Sequence, residues 1–309
     1  MRLSSLIVLV CFAGPAAAAP PANFDTRVEA LRARIGVPGV SLAIVESGAT
    51  TLARGYGVSK LGGSERVDAD TIFPTGSTGK AFTAAALATL VDAGKIGWDD
   101  KVIDRLPGFQ MYDPWVTREI TIRDLLVHRS GLGLGAGDLL FVPRSNLTRE
   151  EAVKRLRYIK PATSFRSGYA YDNVLYMVAG RVIEVVSGQT WEDYVREHVL
   201  VPAGMTVSTS DNDRRFETTN RAYPHARASG RVRGTGPLQM LDERDELGRA
   251  AAPAGGLAIS ANDMTKWLTL QLAKGDLPGE ARLFSEAAHA EMWKRSYCSQ
   301  SRRRRHHSS

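Results

Sequence analysis

Apolar residues recur at helical spacing over much of this 309-residue chain. The clearest run follows Ser77 and Lys80: apolar side chains recur from Ala81 to Val91, and Gly94 ends the pattern. Residues three or four apart share one face of a helix, so the run predicts a helix that begins near Ser77. Further helices are predicted from Asp25 to Gly36 and over residues 121–127, 148–158, 173–186, 190–200, 260–272 and 283–293. Their predicted capping residues are Asp25, Asp124 at a capping-box position, Thr148 with Glu151, Thr190 with Asp193, and Ser260 with Asp263.

Strand patterns are confined to the beginning of the chain. Residues 40–45 and 50–56 are rich in β-branched and apolar residues, and the polar segment 46–49 separates them. This arrangement is typical of a β-hairpin. Because a lone hairpin is only marginally stable in water, an α+β protein needs further strands. We expect those strands to follow the last helix, where the given sequence stops.

The pair Ser77 and Lys80 is the first candidate for chemistry. At the start of a helix, residues i and i+3 lie side by side, which places the lysine amine next to the serine hydroxyl. A serine hydroxyl is a poor nucleophile until a base and positive potential lie close to it, and a lysine at a helix N-terminus supplies both. Ser-x-x-Lys is the arrangement of acyl-transfer enzymes of the β-lactamase and penicillin-binding class.

A second candidate lies just before the predicted helix 173–186, in a segment that contains Tyr169, Tyr171 and Asn173. Tyrosinate is a strong base, and a nearby lysine cation favours that form. The asparagine amide both donates and accepts, which suits a substrate amide. The alternative is structural: the tyrosines would be core aromatic residues and Asn173 a helix cap.

Several ordered segments together show a resemblance to a known family. The sequence resembles the serine β-lactamase-like family, which contains class C β-lactamases, D-alanyl-D-alanine carboxypeptidases and related esterases. The likeness spans roughly residues 25–295. Its segments are Phe73 to Ala84 with Gly-Ser-x-x-Lys, Tyr171-Asp172-Asn173 with Tyr176 and Gly180, the helix end at 125–132, Val201-Pro202-Ala203-Gly204-Met205, and Ala254-Gly255-Gly256-Leu257.

The resemblance implies both a fold and residue roles. The fold would be α+β: an antiparallel sheet flanked by helices, with a mostly helical lobe, as in β-lactamases and transpeptidases, and with its C-terminal sheet strands missing. Ser77 would be the acylated nucleophile, and its backbone N–H would form half of the oxyanion hole. Lys80 and Tyr171 would share the serine proton and later activate water. Asn173 would contact the substrate amide.

One departure from the family pattern affects the functional prediction. Family members carry a third motif, Lys-Thr-Gly or His-x-Gly, on a strand after the helical region, and the given sequence contains neither. That strand lines the cleft and supplies the second oxyanion donor. Losing one such donor typically lowers kcat by about 10²–10³. The missing strands would also leave sheet edges unpaired.

Composition and charge add an expected domain organisation. The first 18 residues, with Arg2, an apolar run containing Cys11 and small residues at 16–19, predict a cleaved export signal. Residues 19–295 would form the hydrolase domain, and residues 296–309 an aberrant basic tail that includes Cys298. The formal net charge is +7, but five basic residues lie at Arg2 and 302–305, and the rest of the chain carries 35 basic and 33 acidic residues. This near-balance argues against nucleic-acid binding.

Other patterns are set aside. Residues 131–136 fit Gly-x-Gly-x-x-Ala, but they follow a helix rather than a strand, which is the wrong context for a dinucleotide site. No Gly-x-Ser-x-Gly elbow occurs. The histidines lack metal-ligand spacing, and the acidic run 242–246 is typical of a solvated loop. We therefore expect no cofactor, no metal, no membrane span after signal removal, and a monomer that acts on a small-molecule or peptide substrate.

Three functional hypotheses remain open at this point. The first is a periplasmic or secreted serine hydrolase that cleaves a β-lactam, a D-amino-acid peptide or an ester through a Ser77 acyl-enzyme. The second is a truncated, non-catalytic β-lactamase-like protein. The third and weakest is binding of anionic polymers through the arginines at 302–305.

Overall fold

The computed structural model describes residues 19–230, 234–242, 247–279 and 281–296. The predicted export signal at 1–18, the tail from residue 297 onwards and most of the acidic run 242–246 lie outside the described residues, as do Cys11 and Cys298.

The helices follow the apolar pattern closely. The helix predicted after Ser77 is α2, preceded by a 3₁₀ turn at Gly76–Gly79. The α-helices are α1 Phe24–Ile35, α2 Lys80–Asp92, α3 Val102–Arg105, α4 Pro114–Glu119, α5 Arg149–Lys154, α6 Val174–Ser187, α7 Trp191–Val195, α8 Ala252–Gly255, α9 Ala261–Leu272 and α10 Glu286–Met292. Shorter 3₁₀ turns lie at Arg123–Leu125, Asp138–Leu140, Leu156–Tyr158, Arg214–Glu217 and Arg249–Ala251, and a π-helical turn at Arg196–Leu200.

The predicted hairpin is present as β1 Gly39–Glu46 and β2 Ala49–Gly57. The two strands are antiparallel, with a register shift between Ile44 and Val45. In the described part of the chain, β1 pairs with β2 alone, so its other edge carries no strand. Two further antiparallel pairs are only two residues long: β3 Phe73–Pro74 with β6 Ala258–Ile259, and β4 His225–Ala226 with β5 Gln239–Met240. The α+β prediction is therefore confirmed.

The core lies between α2, α6 and the helices around them. One face of α2 packs against α6 and α8, and α10 packs against α2, while α9 covers the hairpin. Phe82 of α2 stacks on Trp267 of α9 with ring centroids 4.1 Å apart. The core therefore holds α2, and with it the turn that carries Ser77.

Several helix boundaries were predicted from capping residues. The capping box of Thr148 and Glu151 is present, as are the caps formed by Thr190 and Ser260. Gly36 ends α1 in the left-handed conformation at φ 75°. The prediction that Asp25 caps α1 is wrong, because Asn23 holds that position and the Asp25 carboxylate instead binds Arg54 and the Tyr56 hydroxyl on β2.

The helix predicted over residues 121–127 is reduced to the short 3₁₀ turn Arg123–Leu125. Asp124 explains the difference: its carboxylate accepts hydrogen bonds from the backbone N–H and the hydroxyl of Thr121 and also binds Arg166. Thr121 and Asp124 thus make the reciprocal hydrogen bonds of a capping box, although the turn itself begins only at Arg123. The pairing of Asp124 with Arg166 ties the turn to the loop before Tyr171.

A buried ion-pair network supports the segment that leads into α8. Arg149, 6% exposed at its side chain, pairs with Glu184 of α6 and Glu192 of α7. Its guanidinium also donates to the carbonyl oxygens of Arg249 and Ala250. Because a guanidinium presents five donors, one side chain joins two helices to the chain that enters the site.

We expect Arg149→Ala to lower the free energy of unfolding by about 3 kcal/mol, because it removes the buried cation that two largely buried carboxylates share and leaves them only more exposed arginine partners. Arg181→Ala is the matched control: Arg181 also pairs with Glu184, but its side chain is 30% exposed, so the loss should be no more than about 1 kcal/mol. Guanidinium-chloride unfolding of both variants measures the difference. Equal losses would contradict the structural role given to Arg149.

Candidate active site

The turn Gly76–Gly79 and the first residue of α2 place the serine and the lysine side by side. Ser77 is exposed, whereas Lys80 is 7% exposed. Lys80 Nζ lies 3.1 Å from Ser77 Oγ. The spacing of three residues therefore brings amine and hydroxyl into contact, as predicted. The first N–H groups of a helical turn have no partner within it, which leaves the Ser77 N–H available to an oxyanion.

Lys80 Nζ is surrounded by three oxygen acceptors from three parts of the chain. Besides Ser77 Oγ, these are Asn173 Oδ1 and the carbonyl oxygen of Ala254, each at 2.8 Å. An ammonium group has three N–H donors and no acceptor, so this set matches it completely. The rings of Tyr171 and Tyr176 add cation–π contacts, each with its centroid 5.1 Å from Nζ.

Tyr171 and Asn173 complete the cluster from the start of α6. Ser77 Oγ lies 2.7 Å from the Tyr171 hydroxyl, which in turn lies 3.3 Å from Asn173 Oδ1. The structure thus brings all four predicted site residues together. Because the lysine donates to Ser77 Oγ, the serine hydroxyl proton is free to point at the Tyr171 oxygen.

The structural alternative for this segment is wrong for Asn173. Asn173 does occupy the N-cap position of α6, but its side chain makes no capping hydrogen bond. Asp172 takes that role, since its carboxylate accepts the backbone N–H of Leu175. Tyr169, which the sequence pattern paired with Tyr171, is 58% exposed and lies outside the cluster.

His128 is a site residue that sequence reasoning missed. Its ring packs against Tyr171 with centroids 4.4 Å apart, and its Nδ1 accepts the backbone N–H of Asp172. Its carbonyl oxygen accepts the N–H of Ala170. Burial, together with the Lys80 cation, lowers the pKa of His128 to about 4, so the ring is neutral at ordinary pH. The histidine in the family-like helix end was the signal that could have identified it.

Asp172 is buried directly behind the cluster. Its second oxygen accepts a hydrogen bond from Ser130 Oγ at 3.0 Å. Burial raises the pKa of this carboxyl to about 6, although the hydrogen bonds from Leu175 and Ser130 act in the opposite direction. The segment 128–131 therefore forms hydrogen bonds to both residues that flank Tyr171 in the sequence, Ala170 and Asp172.

The Ala254 carbonyl reaches Lys80 because two glycines allow a close approach. A Cβ on Gly255 would lie 2.7 Å from the backbone of Gly76, next to the nucleophile. A Cβ on Gly180 of α6 would lie 2.3 Å from Pro253. The segment Ala254-Gly255-Gly256-Leu257 was noted as family-like, and the structure shows how its backbone contributes to the site.

An apolar groove of about 1010 Å³ opens beside Ser77. Val45 of β1, Trp267 of α9 and Met292 of α10 contribute to its walls. Val45 lies on β1, which pairs with β2 alone among the described residues. Because Ser77 also lines the groove, a group bound there would lie beside the nucleophile.

The described residues contain neither a cation-binding cluster nor a bilayer-spanning helix. No group of three or more histidine, cysteine, aspartate or glutamate side chains there is arranged to hold a metal ion. Within the same residues, no helix combines the length and the apolar character that crossing a bilayer requires.

Comparison with known proteins identifies the family. Residues 24–296 match the family model described as Beta-lactamase. Penicillin-binding protein 4 of Amycolatopsis lactamdurans is 31% identical over 280 residues, which cover 88% of this chain and 69% of that protein. The chain belongs to the beta-lactamase family. The resemblance read from the motifs is thereby confirmed.

Two further comparisons show proteins that are similar to this chain in sequence or in fold. Unguisins hydrolase ungD′ of Aspergillus campestris is 31% identical over 277 residues, which cover 83% of this chain but only 47% of that protein. The D-amino acid amidase of Ochrobactrum anthropi has the same fold, with a TM-score of 0.69 at 22% identity over 87% of this chain and 73% of its own. The chain thus spans about half to three quarters of the length of these proteins.

We expect Asp172→Asn to change how stability depends on pH. The raised pKa means that folding favours protonated Asp172, so its contribution is present below pH 4 and is lost as the pH rises to about 6. The asparagine does not titrate. Its oxygen can still accept the Leu175 N–H, and its NH2 group faces Ser130 Oγ, which can accept in place of donating. The free energy of unfolding of the variant, relative to that of wild type, should therefore increase by on the order of 2 kcal/mol between pH 4 and pH 7.

Denaturant unfolding at several pH values measures this difference. His128 opposes Asp172 in the same pH range, but it is present in both proteins, so the comparison isolates Asp172. The exposed Asp104→Asn serves as the matched carboxyl-to-amide control. A stability difference between wild type and Asp172→Asn that stays constant from pH 4 to pH 7 would refute the assignment.

Proposed function

We propose that this protein is an exported serine hydrolase that cleaves an amide or ester bond through an acyl-enzyme on Ser77. One observation carries the proposal: Ser77 Oγ lies within hydrogen-bond distance of both the Lys80 amine and the Tyr171 hydroxyl. A nucleophile in contact with two proton-transfer groups is the arrangement that covalent acyl transfer requires. Export rests on the pattern of residues 1–18, outside the described part of the chain.

The chemistry follows from the hydrogen bonds. Once the Tyr171 hydroxyl has given its proton to solvent, Ser77 Oγ attacks the substrate carbonyl carbon and its proton passes to the Tyr171 phenolate oxygen, whose negative charge the Lys80 ammonium balances. The C–N or C–O bond then breaks, and the leaving group takes up that proton. Water enters the vacated side, loses a proton to the same groups and releases the acid, which restores the Ser77 hydroxyl.

Three substrate classes fit this chemistry. β-Lactam, D-amino-acid peptide and simple ester share the same attack by serine. The relatives' names support hydrolysis and penicillin binding for those proteins. The apolar groove beside Ser77 supports a substrate with an extended apolar portion.

The competing proposal is a beta-lactamase-like protein that does not turn substrate over. It is favoured by the open groove beside Ser77 and by the absence of Lys-Thr-Gly and His-x-Gly from the given sequence. Without a second oxyanion donor, Ser77 would form an acyl-enzyme slowly or not at all.

Covalent labelling separates the two proposals. A fluorophosphonate or a fluorescent penicillin should label the wild-type protein, and Ser77→Ala should lower the labelling rate at least about 10³-fold because it removes the nucleophile. Ser167→Ala, which removes an exposed hydroxyl, is the matched control. Circular dichroism establishes that each protein is folded. A folded wild-type protein that takes no label would favour the non-catalytic alternative.

Tyr171→Phe tests the proton-transfer role while keeping the aromatic ring. The variant loses the oxygen that faces Ser77, so we expect the labelling rate to fall about 10²–10⁴-fold with little change in melting temperature. Tyr169→Phe makes the same change at an exposed tyrosine and should label at the wild-type rate. If both variants react alike, Tyr171 is not the group that accepts the serine proton.

A further inference from the structure

The carboxamide of Asn173 lies at the centre of the cluster and has a different partner at each end. Its Oδ1 accepts from Lys80 Nζ at 2.8 Å and from the Tyr171 hydroxyl at 3.3 Å. Its Nδ2 lies 3.2 and 3.3 Å from the two carboxylate oxygens of Asp138. Nothing in the sequence patterns pointed to Asp138, which lies in the segment that follows the Gly-Leu-Gly-Leu-Gly repeat.

The orientation of this carboxamide matters because its two ends are nearly the same in shape but opposite in hydrogen bonding. A half-turn about the last side-chain bond would place N–H donors against the Lys80 ammonium and the Tyr171 hydroxyl. Lys80 would then lose one of its three acceptors and face donors instead. The cluster around Ser77 therefore depends on which way the Asn173 amide points.

Asp138 is suited to set that orientation. An ionised carboxylate only accepts hydrogen bonds, so it can face Nδ2 but not Oδ1. Its backbone is held by hydrogen bonds at both ends: its N–H donates to Gly135, and its carbonyl oxygen accepts from Phe141 and Val142. Lys80 acts at the other end of the same amide: an ammonium only donates, so it can face Oδ1 but not Nδ2. Held between a donor-only and an acceptor-only group, the amide has one orientation that satisfies both.

A glycine brings Asp138 to this place. Gly137 has φ 79°, and a Cβ there would lie 2.6 Å from Val174 and 2.7 Å from Ile159. Any larger residue at 137 would push the loop away from the first turn of α6, where Asn173 lies. The glycine-rich segment that resembles a dinucleotide motif thus has a different use, since it lets an acidic loop contact the catalytic cluster.

We propose that Asp138 is a positioning residue that holds the Asn173 carboxamide with its oxygen toward Lys80 and Tyr171. The inference rests on the proposed acyl-transfer function of the same cluster. Both carboxylate oxygens of Asp138 lie within hydrogen-bond distance of Asn173 Nδ2, so the amide N–H groups face the carboxylate and Oδ1 faces the cluster.

The kinetic test uses the rate of Ser77 labelling by a small fluorophosphonate. Asp138→Ala removes the acceptor, and we expect the rate to fall about 10- to 100-fold, as for loss of a hydrogen bond to a charged group. Asp138→Asn keeps an oxygen that can still accept from Nδ2 but no longer enforces the orientation, so it should recover part of the rate. Asp104→Ala, at an exposed aspartate of α3, should label like wild type.

Partial recovery by asparagine distinguishes positioning from a merely structural role. If Asp138 only stabilised its loop, the labelling rate would depend only on the fraction of protein that is folded. A variant that melts well above the assay temperature would then be labelled at the wild-type rate. If the charge alone mattered, Asp138→Asn would be as slow as Asp138→Ala. A wild-type rate in Asp138→Ala would overturn the proposal while leaving the Ser77 acyl-enzyme intact.

A second measurement keeps the inference testable if wild type takes no label at all. The side-chain amide of Asn173 gives a pair of nitrogen–proton NMR signals, which are assigned by their loss in Asn173→Ala. Slow exchange with water is expected in the wild type, and fast exchange in Asp138→Ala but not in Asp104→Ala. Unchanged exchange in Asp138→Ala would refute the positioning role without reference to turnover.

Discussion

The site depends on how one buried lysine is satisfied. A buried ammonium is costly unless acceptors surround it. Lys80 finds them in Ser77 Oγ, the Asn173 amide and the Ala254 carbonyl, which come from three separate parts of the chain. Each N–H therefore fixes the position of one segment relative to α2. The same three hydrogen bonds both stabilise the buried lysine and set the geometry of the reactive groups.

The surrounding structure holds those three segments at the required distances. The 128–131 segment holds the residues around Tyr171 through backbone hydrogen bonds and through the packing of the His128 ring on Tyr171. Arg149 holds the chain that leads into α8, and glycines at 180 and 255 let that chain approach α6 and the Ser77 turn. Bulk at either glycine would move the Ala254 carbonyl away from the lysine.

The same arrangement leaves one side of the nucleophile open. The groove beside Ser77 is largely apolar, and one of its lining residues, Val45, lies on β1, which has no strand partner other than β2 in the described residues. An unpaired strand edge offers backbone donors and acceptors to an extended chain. Because Ser77 itself lines the groove, a group bound there would lie beside the nucleophile.

Local pattern in the sequence determined most of the helices, the hairpin and the serine–lysine pair, because each depends on residues close together in the chain. Spacing of three in a helical turn is enough to join Ser77 to Lys80, and capping residues are enough to start α5, α7 and α9. The family motifs added Tyr171 and Asn173. Local pattern failed at Asp25, whose carboxylate is drawn to β2 by partners about 30 residues away.

Only the tertiary structure decided the rest of the site. The contacts of His128, Asp138 and Ala254 join residues that are between 35 and 174 positions apart. Such contacts form only when helices α2, α6 and α8 pack against each other. The sequence therefore contains no periodicity or fixed spacing from which these partners could be predicted. The sequence therefore identified the reactive pair, while the fold selected the groups that orient it.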